Sequence, residues 1–324
     1  MVQEFTIIGK PLPRVEGFGK ITGQAKYTDD LVLPRMLYGK FLTSVYPHAR
    51  IVDIDLSQAR SLPGVHAILT GKDLPIRYSV SPLNEDETAL AMAKVRYVGQ
   101  PVAVVAAVDE ETAERAIGLI RVEYEPLAAV MSVEEALRPE APLVHSAGNI
   151  HQAHSLEYGD VEEGFRQVDY VREDIFFYQG SNHLALEQHV ALAQYDPTSG
   201  KVTVWTSTQS TNTVHRILSK VLELPGHQVR IIAPTVGGGF GGKFEAFPHE
   251  ICAAKLAIVT GRPVKITLTR EEVFYAHRGR APTHHWIRTG VKRDGTITAT
   301  HVRAILDGGA HSGIGLVGTA NASG

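Results

Sequence analysis

The octapeptide Val236-Gly237-Gly238-Gly239-Phe240-Gly241-Gly242-Lys243 places five glycines in six consecutive positions. Each glycine costs roughly 0.5–1 kcal/mol relative to alanine in regular structure, so such a run needs a reason. The usual reason is that main-chain amides must come close to a ligand. Two loose nucleotide patterns fit the run. Gly237, Gly239 and Gly242 match Gly-x-Gly-x-x-Gly, and Gly237 with Gly242-Lys243 matches Gly-x-x-x-x-Gly-Lys. Both fail on context. Phe244 stands where the phosphate loop needs a Ser or Thr for magnesium. Arg262-Pro263 stands where the dinucleotide fingerprint needs an acidic residue, about 20 positions on. The run reads as a ligand loop of another kind, with a glycine-rich packing corner as the plain alternative.

Outward from the loop, the pattern is mixed α and β. Leu186–Tyr195 and Lys201–Thr208 read as strands joined by Asp196-Pro197-Thr198-Ser199-Gly200. Thr211–Leu224 has the clearest helical periodicity, with Val214, Ile217, Leu218, Val221 and Leu222 on one face and Pro225-Gly226 beyond. Gln228–Ala233 is a strand leading into the glycine run, and His249–Thr260 is a helix stopped by Gly261. His285–Val291 and Thr296–Leu306 form a hairpin across Asp294-Gly295.

The N-terminal part has its own rhythm. Two extended segments flank a short helical one between Met36 and Ile68; Val95–Val108 follows as a strand, Glu110–Ile120 as a helix capped by Asp109, and Arg121–Leu127 as a strand. Ser132 and Glu135 have capping-box spacing. The expected division is residues 1–137, a connector at 138–164 rich in Pro, Gly, His and acids, and residues 165–324. The stretch Leu316–Gly324 carries no cap or charged tail, and the chain reads as cut off in mid-domain or completed by another.

At 324 residues the chain is long enough for two domains, and 44% hydrophobic with 21% charged residues excludes wholesale disorder. A net charge of −3 without long blocks of either sign argues against nucleic acid as partner. The longest apolar run, Val102–Val108, is far short of the roughly 20 residues a membrane span needs. With no signal-peptide pattern at Met1–Lys10, a soluble cytoplasmic protein is expected. Cys252 is alone, which excludes an internal disulfide and a thiolate metal cluster. The 15 histidines show no ligand spacing: His151 and His154 fall in the connector, and His284 and His285 point to opposite faces of a strand. No Gly-x-Ser-x-Gly elbow is present. Arg270, His277, Arg278 and Arg280 read as a basic surface patch, and Glu187 with His189 as a structural pair.

Val236–Lys243, preceded by Thr208-Gln209-Ser210-Thr211 and an amphipathic helix, resembles the molybdenum-binding subunit of the xanthine oxidase family of molybdenum hydroxylases. The N-terminal motifs follow in that family's order: Arg14-Val15-Glu16-Gly17, Lys20–Asp30, Tyr46-Pro47-His48-Ala49-Arg50, Leu62-Pro63-Gly64-Val65 and Val98-Gly99-Gln100-Pro101-Val102-Ala103. The likeness is nearest to bacterial 4-hydroxybenzoyl-CoA reductase and the nicotinate or xanthine dehydrogenases. It implies an α+β fold: an N-terminal α/β hammerhead domain followed by part of a mixed α/β molybdenum-cofactor-binding domain.

The resemblance further implies an oxidoreductase that uses water as its oxygen source on an aromatic, N-heterocyclic, aldehyde or aryl-CoA substrate. Its cofactor would be molybdopterin, in the cytosine dinucleotide form, with iron–sulfur and FAD groups on partner subunits and a dimer of heteromers as the assembly. Gln209 matches the glutamine whose amide reaches the metal's oxo ligand, and Gly238, Gly239, Phe240 and Gly241 match the loop that approaches the centre. Phe244 stands where purine-oxidising relatives carry a glutamate, which leans away from purines and toward an apolar aromatic substrate. The family's general-base glutamate lies beyond position 324, so no catalytic residue and no direct metal ligand is assignable here. A second molybdopterin-binding chain, or a missing C-terminal half, would complete the site. The competing reading is a non-catalytic fragment that holds cofactor or partners, and a weaker third is a nucleotide-binding protein.

Overall fold

The computed structural model describes residues 5–81, 85–276, 278–311 and 313; the expectations placed on Leu316–Gly324 and His277 lie outside the described residues. The N-terminal part contains α1 (Gly17–Ile21), β1 (Leu37–Thr43), β2 (Ala49–Asp55), α2 (Ser57–Ser61), β3 (Val65–Thr70), β4 (Lys94–Val95), β5 (Pro101–Ala107), α3 (Glu110–Leu119), β6 (Arg121–Pro126) and α4 (Val133–Ala136). The later part contains α5 (Val161–Arg166), β7 (Tyr170–Tyr178), β8 (Val190–Asp196), β9 (Lys201–Thr206), α6 (Thr211–Val221) and β10 (Val229–Ile232). It continues through α7 (Pro248–Thr260), β11 (Val264–Thr267), α8 (Arg270–Ala276), β12 (Thr283–Val291) and β13 (Ile297–Leu306).

The principal sheet has seven strands in the order β10-β9-β8-β11-β1-β5-β3. Strands from both sides of the 138–164 stretch share it. The seam is β1 against β11, a parallel pair with Leu37 opposite Val264 and Gly39 opposite Ile266. A Cβ at position 39 would fall 2.5 Å from Ile266 Cγ1, so glycine is what lets the seam close. On this sheet lies α7, whose residues from Pro248 to Ala254 are all buried, as are Leu256 and Ala257. It is apolar nearly all round, as a core helix should be. Two three-stranded sheets flank the first, β4-β2-β6 and β13-β12-β7.

Several boundaries differ from the sequence reading, each for a local reason. The extended run from Val95 to Val108 is broken, because Gly99 takes a left-handed φ of 92° and the Gln100 side chain accepts from Arg96 N at 2.7 Å. α6 stops at Val221 rather than Leu224, since Glu223 turns left-handed at φ 54° before the proline is reached. The stretch expected as a connector ends inside α5, whose N-cap Asp160 accepts from Glu163 N at 2.8 Å. The basic surface patch does not exist as such. Arg278 is ion-paired with Glu87 and Glu245, and Arg270 donates to the carbonyls of Ala185 and Leu186.

Glu250, at the start of α7, is fully buried. Its Oε2 accepts from Phe247 N and its Oε1 from Thr206 Oγ1, both at 2.8 Å. Burial raises its pKa to about 7 despite those two donors. A raised folded-state pKa means that its stabilising contribution is complete below the unfolded value of 4.5 and is lost as pH rises through about 7. Wild type should therefore lose stability relative to Glu250→Gln between pH 5 and pH 8, by on the order of 2 kcal/mol. Urea titrations of both proteins across that range read the difference. The neighbouring His249, held down to about 3 by burial, acts in the opposite direction but equally in both proteins. A gap that does not change with pH would refute the assignment.

Candidate functional site

The segment between β9 and α6 is tied to the glycine loop through both main chain and side chain. Ser210 caps α6, its Oγ accepting from Thr213 N at 3.4 Å, so Gln209 stands just before the helix rather than in its first turn. Gln209 N donates to the Lys243 carbonyl at 2.8 Å, and Thr208 Oγ1 donates to the same oxygen at 3.1 Å. In return, the Gln209 side-chain Oε1 accepts from Gly241 N at 2.9 Å and Lys243 N at 3.2 Å. With its oxygen taken by two donors, the carboxamide is fixed in orientation. Its NH2 end makes no hydrogen bond among the described residues, and Gln209 is exposed, so that donor is left available.

The loop itself is held in a strained shape. Gly238 and Gly241 take φ of 101° and 87°, and Phe240 between them is left-handed at 51° with its side chain 74% exposed. A non-glycine residue in that region costs about 1–2 kcal/mol and persists where the surroundings enforce it. Three consecutive amides, those of Gly238, Gly239 and Phe240, have no hydrogen-bond partner among the described residues. Gly239 is buried. A buried amide is nearly always paired, which makes the Gly239 amide the notable one; Gly238 is half-buried and Phe240 exposed, so their amides are open to solvent or to an acceptor.

Beneath the loop runs a support that the sequence did not disclose as such. The Lys243 ammonium, with no exposed side-chain surface, sits 2.8 Å from Glu187 Oε2, and the same oxygen accepts from Gly237 N at 2.8 Å. Burial lowers the lysine pKa, an effect the Glu187 carboxylate partly opposes. His189 Nε2 donates to the Gly242 carbonyl at 3.0 Å, and burial keeps its ring neutral by pushing its pKa well down. Glu187 and His189 thus hold the loop and do not form the pair expected from the sequence; Glu187 Oε1 is buried without a hydrogen-bond partner among the described residues. The available signal was Lys243 itself, a cation closing a run otherwise free of charge.

The structure brings Gln209, Gly238, Gly239, Phe240 and Gly241 together; Phe244 lies just past them, 43% exposed. Leu184, Leu186, Phe240 and Phe244 leave apolar surface open around the loop. The apolar cleft lined by Phe41, Pro101, Phe247 and Leu268 includes none of the loop residues. The nucleotide-loop readings lose their context here too, because a turn and bend at 240–245 separate the glycines from α7, the helix that follows them. Asp86, His145 and His311 place one ligand atom each within 4.8 Å of one another, but the guanidinium groups of Arg96 and Arg278 act on His311 against added positive charge.

Among the described residues, no helix is long and apolar enough to cross a membrane. Residues 144–323 match the molybdopterin cofactor-binding domain, and residues 22–128 match the aldehyde oxidase and xanthine dehydrogenase a/b hammerhead domain. The chain is 37% identical over 315 residues to the nicotinate dehydrogenase large molybdopterin subunit of Eubacterium barkeri, covering 97% of this chain and 74% of that one. It is 35% identical over 308 residues to the xanthine dehydrogenase molybdenum-binding subunit of Escherichia coli O157:H7, covering 92% of this chain and 41% of the relative. Quinoline 2-oxidoreductase from Pseudomonas putida 86 superposes with a TM-score of 0.86 at 33% identity, over 93% of this chain and 39% of that structure. The chain thus spans about three quarters of the first relative and about two fifths of the other two. It belongs to the molybdopterin-binding large subunits of the xanthine oxidase family.

Proposed function

We propose that this chain supplies the Gln209 and glycine-loop wall of a molybdenum hydroxylase site in a multi-subunit dehydrogenase. The residues present fit the cofactor. Three unpaired amides and the available NH2 of the Gln209 carboxamide make a donor-only surface, which suits an oxygen-rich anionic group held by a pterin. Gln209 and the amides of Gly238, Gly239 and Phe240 would hold the molybdenum end. Bound there, the molybdenum centre supplies two-electron oxidation with water as the source of oxygen. The chain's own part is to present donors whose positions are fixed before reaction, so that little reorganisation is needed when charge develops.

The observation that carries this reading is the pinned Gln209 oxygen, which leaves the amide NH2 as an available donor. Gln209→Glu keeps both acceptor bonds and removes that donor. In the assembled enzyme, turnover should fall by about 10²–10³, the usual effect of deleting one preorganised donor. Turnover and molybdenum content both at wild-type levels would refute it.

The same stretch is 74% of one relative and 41% of another, which supports a family whose molybdopterin subunits occur in shorter and longer forms. We place the general base in the remainder of the subunit, as a second chain or a continuation. Glu187 is charge-paired under the loop and Glu245 is paired with Arg278. Partner subunits carrying iron–sulfur clusters and FAD would drain the electrons, because Cys252 is buried with its pKa pushed up and offers no cluster ligation. The cytosine dinucleotide form of the cofactor, a dimer of heteromers and a cytoplasmic location belong to the same proposal. The exposed Phe244, with Phe240 and Leu186, favours an apolar aromatic substrate over a purine. A non-catalytic holding fragment is the second reading, favoured by the open face of the loop; an assembly containing molybdenum but inert with every such substrate would select it.

A further inference from the structure

Asp86, His145 and His311 come from three distant stretches of chain: the segment before β4, the 138–164 stretch and the bend after β13. One ligand atom from each lies within 4.8 Å of the other two. His311 is only 6% exposed, and neither of its ring nitrogens has a hydrogen-bond partner among the described residues. A neutral imidazole carries one donor and one acceptor, and such groups left unmet in the interior point to a bound water or ion. His311 Nδ1 stands 3.9 Å from Asp86 Oδ2, too far for a hydrogen bond. Ligand atoms around a tetrahedral zinc ion lie about 3.3 Å apart, so a small contraction brings both onto one cation.

The third ligand is held by its surroundings. His145 Nε2 donates to the Ala310 carbonyl at 2.6 Å, which leaves the Nδ1 lone pair as the ring's acceptor. An imidazole whose other nitrogen is tied to a carbonyl is the usual form of a metal-binding histidine. Lys94 Nζ donates to Leu143 O and Arg96 Nε to Val144 O, both at 3.1 Å, so these cations fix the segment that carries His145. Arg278 opposes added charge at His311, yet it is already matched by two carboxylates, Glu87 and Glu245. Burial pushes the pKa of both histidines down, so no proton blocks their lone pairs at neutral pH.

We propose that Asp86, His145 and His311 form a binding site for one divalent transition-metal ion of the zinc class. Two imidazoles and one carboxylate suit zinc better than magnesium or calcium, which take oxygen ligands. Three protein ligands leave one position to water. The ion's role is structural: it ties the bend after β13 to the hammerhead part and to the 138–164 stretch. The ligands are too far apart in sequence for any spacing to mark them. The site shares no residue with the Gln209 and glycine-loop wall, and it stands whether or not that wall holds molybdenum.

The test is metal binding by the purified assembly after dialysis against a chelator, with zinc, magnesium or calcium ions added back singly. Elemental analysis counts zinc apart from molybdenum and iron. Zinc should return to one ion per chain, while magnesium and calcium at the same concentration should not bind. His311→Ala and Asp86→Asn should each weaken zinc binding by at least about 100-fold, since even a partner behind a ligand is worth about 10–100-fold. Asp86→Asn keeps the side-chain shape at a half-buried position, so it decides the matter even where His311→Ala fails to fold. Zinc uptake that is equal in wild type and Asp86→Asn overturns the proposal. So does zinc binding no tighter than that of magnesium.

Discussion

Lys243→Met should lower the stability of the protein by about 3–5 kcal/mol, because it strands a buried carboxylate without its cation. Lys243 Nζ and Gly237 N both donate to Glu187 Oε2 at 2.8 Å, and the ammonium is wholly buried. Methionine matches the lysine stem in length and fills the same space, so packing is nearly conserved and the loss is electrostatic. The partner variant separates the two. In Lys243→Met/Glu187→Gln the neutral amide oxygen can still accept from Gly237 N, and most of the stability should return. Urea denaturation of the wild type, both single variants and the double variant gives the coupling. A loss under about 1 kcal/mol for Lys243→Met would show that the pair does not hold the loop.

Gly239→Ala should have the largest effect on the site itself. The added methyl would fall 2.4 Å from Gln209 Oε1 and 2.6 Å from its Cδ, well inside van der Waals contact. Backbone cannot easily yield there, since Gly242 N donates back to Gly239 O at 2.8 Å and closes the turn. The carboxamide must therefore leave, losing its bonds from Gly241 N and Lys243 N. Two amides then lack their acceptor, at about 1–3 kcal/mol each where buried. Metal analysis and pterin fluorescence of the purified assembly should show occupancy reduced by about tenfold or more, corresponding to ~1.4 kcal/mol of lost binding. Full occupancy with unchanged turnover would mean that Gln209 does not position the cofactor.

Much of the site was legible in the sequence because it is local. A run of five glycines is conspicuous in any context, and Gln209 was identified through the ordered motifs around it and the resemblance they carry. The tie between the two positions, 32 residues apart, was not legible, because it depends on β9 and the loop being brought together across the sheet. Lys243 was read as a failed phosphate-loop lysine; its actual partner, Glu187, lies 56 residues away in sequence. The basic cluster around Arg278 failed for the same reason. Its counter-charges, Glu87 and Glu245, come from distant segments, so charge counted along the chain mistook a buried ion triad for surface.

Helix caps, the Gly261 stop and the Asp294-Gly295 hairpin were fixed by residues within one or two turns of one another, where backbone stereochemistry and capping bonds decide the outcome. These the amino-acid order settled alone, together with mixed α and β character. The tertiary structure decided how the parts are joined. β1 pairs with β11, Leu37 opposite Val264, so strands from both sides of the 138–164 stretch share one sheet and one core. It also decided that the Gln209 side-chain oxygen is held by two loop amides and that Lys243 is paired with the Glu187 carboxylate. Long-range strand register and side-chain orientation follow from burying apolar faces and pairing every buried charge at once, a condition on the whole chain that no local pattern encodes.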